Sequence, residues 1–293
     1  MFQRDLVIGA ITGYTWKDIK YWVNSLDRSG FNGIKAVVAY NVDYATCDEL
    51  TKRGYKVLTF QKDDANGRVT YPNPNFNIVV DRFLHYYQML DTQENRNGIR
   101  YVIATDVKDV IFQRNPSEYL DVPAIRCIDL VMSSEGIQYK NEAWGANNLR
   151  ESFGPLMYHK HADNTIVNCG VLAGKFDVFL GLCKTIYLLC AHNRQFIPGG
   201  GGPDQAALNL LLNTPVYDHI TSITTHEDPW AAQLGTTLDP TKINTYKPLL
   251  TERQPIWDWT ENLMITPKGK PYTCVHQWDR VPEVRAAVER IYG

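Results

Sequence analysis

Two carboxylates three residues apart, Asp106 and Asp109, stand in the stretch Ala104-Thr105-Asp106-Val107-Lys108-Asp109-Val110-Ile111-Phe112. Carboxylates emerging from so apolar a segment are costly unless something positive meets them. A divalent cation bridging a diphosphate would do so. Mg²⁺ and Mn²⁺ take hard oxygen ligands, typically one or two carboxylates plus phosphate oxygens. Held there, the ion would stabilise negative charge on a leaving diphosphate. The plainer alternative is a strand that ends in a turn, with Asp106 capping backbone amides and Asp109 paired to Arg114. Taken alone, the pair favours the plainer alternative.

Other residues could complete such a site. His276, in Val275-His276-Gln277-Trp278, is either a hydrogen-bonded structural histidine or a ligand, since neutral imidazole suits Mn²⁺. Asp204 and Gln205 follow the glycine run Gly199–Gly202, where backbone can approach a ligand closely. Asp204 could bind hydroxyl groups or act as a base that deprotonates one, and Glu135, after an expected strand Leu130 to Ser134, competes for that role. Arg82 is a candidate diphosphate partner, set against a solvated arginine on the polar face of its helix. Trp144, Tyr158, His159 and His161 fall in an irregular stretch and could shape an acceptor site.

The elements that must position these residues alternate. Leu6 to Thr12 reads as a buried strand, and Ile19, Trp22, Val23 and Leu26 then recur at helical spacing. Lys35 to Tyr40 and Lys56 to Phe60 are the next strands, with a helix around Thr46 to Arg53 between them. The polar stretch Asp63 to Asn77 is expected to be a long loop, and a helix follows to Leu90. Arg100 to Ala104 is the fourth strand. Strands alternating with helices imply parallel crossovers and a three-layer α/β/α sandwich around a mostly parallel, mixed sheet. Ligands of such sheets lie beyond the carboxyl ends of the strands. Asp106, Asp109, Thr12, Tyr14 and Asp43 all fall at such ends. Later elements are strands at Asp129 to Ser134, Thr165 to Val167 and Tyr272 to His276, and helices at Lys175 to Ala191, Asp204 to Leu212 and Pro282 to Ile291.

Composition narrows the partners. Thirty Lys and Arg against 32 Asp and Glu leave a net charge of −2 without a basic stripe, which argues against nucleic acid. Seventeen tyrosines and seven tryptophans supply rings that stack on sugars and nucleobases. The six cysteines form no CxxC pair, and several sit in apolar company as expected of buried thiols in a reducing compartment. No apolar run approaches the ~20 residues of a membrane span, and the opening Met1-Phe2-Gln3-Arg4-Asp5 is no signal peptide. The expected location is the cytoplasm.

The segment Tyr101 to Pro116 resembles the DxD region of GT-A-fold glycosyltransferases, with Asp-x-x-Asp in place of Asp-x-Asp. Three later segments are similar, in order, to elements of the glycogenin-like and galactosyltransferase-like members: Asn168-Cys169-Gly170-Val171-Leu172, Asp204-Gln205-Ala206-Ala207-Leu208-Asn209, and His276-Gln277-Trp278. The resemblance implies a GT-A (Rossmann-like) fold over residues 1–293, with a nucleotide-binding half to residue 116 and an acceptor-binding half from 117. It implies transfer of a sugar from a UDP- or GDP-sugar to a glycan, with Mn²⁺ or Mg²⁺ held by Asp106, Asp109 and His276, Asp109 being the stronger metal ligand. Thr12, Tyr14 and Asp43 would face the nucleoside, Arg82 and Asp106 the donor, and Asn168, Asp204 and Gln205 the sugar and acceptor. Two alternatives stand beside it: a non-catalytic carbohydrate-binding protein on the same fold, and a sugar nucleotidyltransferase. The latter normally carries a Gly-rich basic signature after the first strand, where this chain has Ala10-Ile11-Thr12-Gly13-Tyr14.

Overall fold

The strand Arg4–Thr12 is apolar on both faces, and the fold is built outward from it in a computed structural model that describes residues 3–193 and 201–293. Leu6, Ile8 and Ala10 enter one core, while Val7 and Ile11 enter another on the opposite face. Only a strand covered on both sides needs such a pattern. It lies between Ile34–Tyr40 and Ile99–Thr105, parallel to both, near the middle of a seven-stranded sheet. Lys56–Leu58 forms one edge beside Ile34–Tyr40. Beyond Ile99–Thr105 come Thr165–Lys175, Leu130–Gln138 and the edge strand Thr221–Thr224. Of the seven, Thr165–Lys175 alone runs against the others.

Helices cover both faces. On one, Val80, Phe83 and Tyr86 of Ile78–Leu90 pack with Phe179, Leu182 and Ile186 of Phe176–Cys190 and Leu208 of Pro203–Leu212. On the other, Ile19, Trp22, Val23 and Leu26 of Trp16–Arg28 pack with Leu50 of Tyr44–Lys52. Each fully buried Leu, Ile or Val contributes about 1.5–3 kcal/mol relative to exposure. The architecture is the expected three-layer α/β/α sandwich with a mostly parallel mixed sheet, consistent with a GT-A, Rossmann-like fold.

A second, three-stranded sheet matters for function. Ala231–Gln233 pairs in parallel with Cys274–His276, which pairs antiparallel with Val110–Phe112. Its outer face, with Ile111, Ala232 and Val275, packs on Val284 and Val288 of the closing helix Pro282–Tyr292. The strand that follows Asp109 is thereby tied to the one that ends in His276.

Several boundaries differ from the sequence reading. Leu130–Gln138 and Thr165–Lys175 are longer than their apolar cores, so Glu135 lies within a strand rather than after it. Their interiors carry the polar residues Ser133, Ser134, Glu135 and Asn168, all buried, which broke the apolar pattern. The expected loop from Asp63 is partly ordered, because Arg68–Thr70 pairs with Gln61–Asp63 and with Val42–Asp43. The stretch holding Trp144, Tyr158, His159 and His161 is helical, Ala143–His161, broken at Gly154 (φ 86°) just before Pro155. Gly199 and Gly200 of the glycine run lie outside the described residues. Among the described residues no helix is long and apolar enough to cross a membrane, and the cysteines expected to be buried free thiols, Cys183 and Cys190, are so.

Candidate active site

A cleft of about 600 Å³ opens where the Ile99–Thr105 strand ends. The Trp22 indole donates to Thr105 Oγ1 (2.8 Å) and anchors that end. The backbone then makes two clamps. Asp106 N–H donates to the Gly170 carbonyl at 2.9 Å, and the Gln277 N–H donates to the Asp109 carbonyl at 2.7 Å. Gln277 has left-handed backbone (φ 60°), which turns the chain immediately after His276. The segments around Gly170 and Gln277, far apart in sequence, are each hydrogen-bonded to the Asp106–Asp109 turn.

Asp106, Asp109 and His276 each offer a ligand atom within 4.8 Å of the other two. His276 Nε2 lies 3.6 Å from Asp106 Oδ2 and 3.6 Å from Asp109 Oδ1. Asp109 therefore meets His276, and at 3.9 Å Arg280, rather than Arg114. The His276 side chain is only 3% exposed, whereas Asp106 is 35% exposed and reaches the cleft. Burial disfavours an imidazolium at His276, but the charge of Asp109 and hydrogen bonds to Asp106 and Asp109 outweigh it and push its pKa up to about 10. Burial likewise acts against ionised Asp106, yet Arg82 and then His276 hold its carboxyl well below the usual range. Two carboxylates and an imidazole around an open cleft form a donor set suited to Mn²⁺ or Mg²⁺.

Arg82 is not a solvated surface residue. Its side chain is 11% exposed, Nη1 lies 2.5 Å from Asp106 Oδ1 and Nη2 lies 2.9 Å from Asp204 Oδ2. It acts as a strut between two carboxylates, and its helix presents it because Val80 and Phe83 on either side point into the core. Burial works against its charge, and the two carboxylates overcome that, so the guanidinium is firmly protonated. For Asp204 the largest effect is burial, which raises its pKa against the opposing pull of Arg82.

Glu135 sits in a separate polar nest. Its Oε1 accepts from Asn168 Nδ2 (2.8 Å) and from Gln205 Nε2 (3.1 Å). Burial first, and the nearby Glu142 second, push its pKa up to about 7 despite those two donors. Asn168 also accepts from Gly170 N–H (2.6 Å), and Gln205 Oε1 from Cys169 N–H (3.1 Å), so the Asn-x-Gly strand and the Asp-Gln helix start are mutually braced.

Asp106, Asp109, Glu135, Asn168, Asp204, Gln205, Arg82 and His276 all line the cleft. Thr12, Tyr14 and Asp43 do not. Tyr14 lies within electrostatic reach, burial and then Asp106 and Asp109 pushing its hydroxyl up to about 12. Asp43 caps the helix Tyr44–Lys52, accepting from Thr46 N–H at 2.7 Å. Trp144 lines the cleft, whereas Tyr158, His159 and His161 lie outside it. Residues passed over in the sequence also line it: Glu142, Lys242 and Tyr246, with the Tyr246 hydroxyl donating to Glu142 Oε1 at 2.8 Å. Nothing in their sequence surroundings marks them, because their proximity arises only from packing. Gln233, which contacts His276, was missed for the same reason.

No family model matches the chain, and no curated protein sequence matches it. The chain is similar in structure to the bifunctional glycosyltransferase WbbM, solved in its apo form, with a TM-score of 0.53 and 13% identity. The alignment covers 99% of this chain and 52% of that one, so this chain spans about half the length of its structural relative. At that identity the likeness is one of fold alone.

Proposed function

We propose that the chain is a metal-dependent glycosyltransferase that moves a sugar from a UDP- or GDP-sugar to a carbohydrate acceptor. The observation that carries this reading is the convergence of Asp106, Asp109 and His276 at the mouth of a cleft beyond the sheet's carboxyl edge. In this reading residues 1–293 act as one unit, the half to residue 116 holding the nucleotide and the half from 117 the acceptor. Asp106, Asp109 and His276 hold Mn²⁺ or Mg²⁺, which supplies charge stabilisation to the departing diphosphate. Thr12, Tyr14 and Asp43 border the nucleoside end.

Hydrogen bonds support the remaining roles in this reading. Arg82 keeps Asp106 ionised and aimed, and holds Asp204 at the sugar side of the cleft. Asn168 and Gln205 fix the Glu135 carboxyl while leaving it a pKa close to neutrality, which suits a group that takes a proton from an acceptor hydroxyl. Glu135 is therefore preferred over Asp204 as the base, since Asp204 is engaged by Arg82. Trp144 and Tyr246 offer rings for an acceptor sugar.

Calorimetry with UDP, GDP and their sugar conjugates, with and without Mn²⁺, tests the reading, followed by a donor-hydrolysis screen. Nucleotide binding that needs the metal, together with donor turnover, is the expected result. Glycan binding that persists without metal and without turnover of any donor would replace the enzyme with a carbohydrate-binding protein.

A further inference from the structure

His276 reaches the two aspartates through Nε2, and its other nitrogen, Nδ1, is 2.7 Å from Gln233 Oε1. Gln233 has no solvent exposure and stands directly opposite His276 in the parallel pairing of Ala231–Gln233 with Cys274–His276. Its amide is held at both ends: Oε1 faces the imidazole, and Nε2 donates to Ser133 Oγ at 2.6 Å. The Thr237 hydroxyl donates to the Gln233 carbonyl (2.6 Å) and fixes its backbone.

We propose that Gln233 is a positioning residue for metal binding. Its amide oxygen takes the Nδ1–H of His276, so that Nε2 turns its lone pair to a cation held by Asp106 and Asp109. The inference rests on the metal-dependent reading above. An imidazole ligates through a nitrogen that carries no proton, and the partner of the other nitrogen selects which one that is. A reversed Gln233 amide would present N–H to Nδ1, force the ring proton onto Nε2 and close His276 to the ion. Ser133, from the neighbouring Leu130–Gln138 strand, accepts from the amide Nε2–H and tethers the side chain beside the imidazole. The central sheet thereby fixes the orientation of a ligand that the small sheet carries.

Mn²⁺ binding to the nucleotide-free protein, measured by calorimetry and by ¹⁴N coupling in the Mn²⁺ electron spin echo, tests this directly. Gln233→Leu removes the acceptor and is expected to weaken Mn²⁺ affinity about 10–100-fold, with loss or attenuation of the imidazole ¹⁴N signal. Gln233→Glu keeps an oxygen facing Nδ1 and should hold both readouts to within a few-fold of wild type, and this split between the Glu and Leu variants is what a merely space-filling role would not produce. Ser133→Ala leaves the packing in place, frees the amide and should weaken affinity several-fold; it decides the matter should Gln233→Leu fail to fold. Wild-type Mn²⁺ affinity in folded Gln233→Leu, or in Ser133→Ala where that variant does not fold, overturns the positioning role alone. Absence of Mn²⁺ binding by the wild-type protein overturns the metal reading and this inference with it.

Discussion

Gly170 offers the sharpest test of how tightly the site is built. Its backbone is not in the left-handed region, so alanine is conformationally allowed there. At such a position Gly→Ala would ordinarily stabilise by about 0.4–1 kcal/mol through the unfolded chain. Here space decides the sign. A Cβ on Gly170 would lie 2.4 Å from His276 Cε1, 2.7 Å from His276 Nε2 and 2.9 Å from Asn168 Oδ1. Carbon atoms in contact prefer about 3.5–4.0 Å, so the imidazole must retreat by about 1 Å. It has nowhere free to go, being buried and held by Gln233 on its far nitrogen. Overpacking of this kind costs about 1–3 kcal/mol, and a misplacement of about 1 Å costs on the order of 100-fold in function. Gly170→Ala should therefore lower the melting temperature of the metal-free protein and weaken Mn²⁺ binding on the order of 100-fold, read by calorimetry. In a His276→Ala background the same substitution should cost markedly less, because the two closest contacts are gone and only Asn168 Oδ1, at 2.9 Å, remains. A folded Gly170→Ala protein with wild-type Mn²⁺ affinity, or an equal cost in both backgrounds, would refute the steric reasoning.

Asp109→Ala should abolish Mn²⁺ binding and sugar transfer and lower the melting temperature only in part, since the buried His276 loses one carboxylate partner while the loop stays held by its main-chain carbonyl, bonded to Gln277 N–H; loss of the fold would contradict this. Arg82→Met leaves the buried Asp204 without its cation and Asp106 with His276 alone, and denaturant titration should show a loss of about 3–5 kcal/mol. Glu135 titrates at about 7 in the fold against about 4.5 when unfolded, so the native state binds more protons between those values. Its contribution to stability therefore falls as pH rises from about 4.5 to 7, by about 3 kcal/mol. Glu135→Gln should remove that part of the decline in a pH series of urea melts, and an unchanged slope would count against the buried-carboxyl assignment. The same variant should erase an ionisation near pH 7 from the transfer rate if Glu135 is the base.

Much of the scaffold was legible in residue order. The alternation of apolar strands with helices marked by Ile19, Trp22, Val23 and Leu26, or by Val80, Phe83 and Tyr87, follows from short-range periodicity, and it made the layered α/β architecture readable. Asp106, Asp109, Asn168, Gly170, Asp204, Gln205 and His276 were legible as separate motifs, and their convergence on one cleft is consistent with the order in which they occur. What they do to one another was not legible. Arg82 reads as an ordinary helical arginine, and only the approach of the Ile78–Leu90 and Pro203–Leu212 helices to the Asp106 turn makes it a strut. Asp43 reads as a strand-end ligand, and only the fold shows that its Oδ1 also caps its own helix. The Leu130–Gln138 strand was cut short because burial of Ser133 and Glu135 depends on partners contributed by Gln233, Asn168 and Gln205. Hydrophobic periodicity is a property of neighbours along the chain, and so the sequence by itself determined the elements and the types of ligand available. Buried polar groups are stable only with partners that arrive from elsewhere in the chain. The tertiary structure alone therefore decided which carboxylates are paired, which remain open to a ligand, and which nitrogen of His276 faces Asp106 and Asp109.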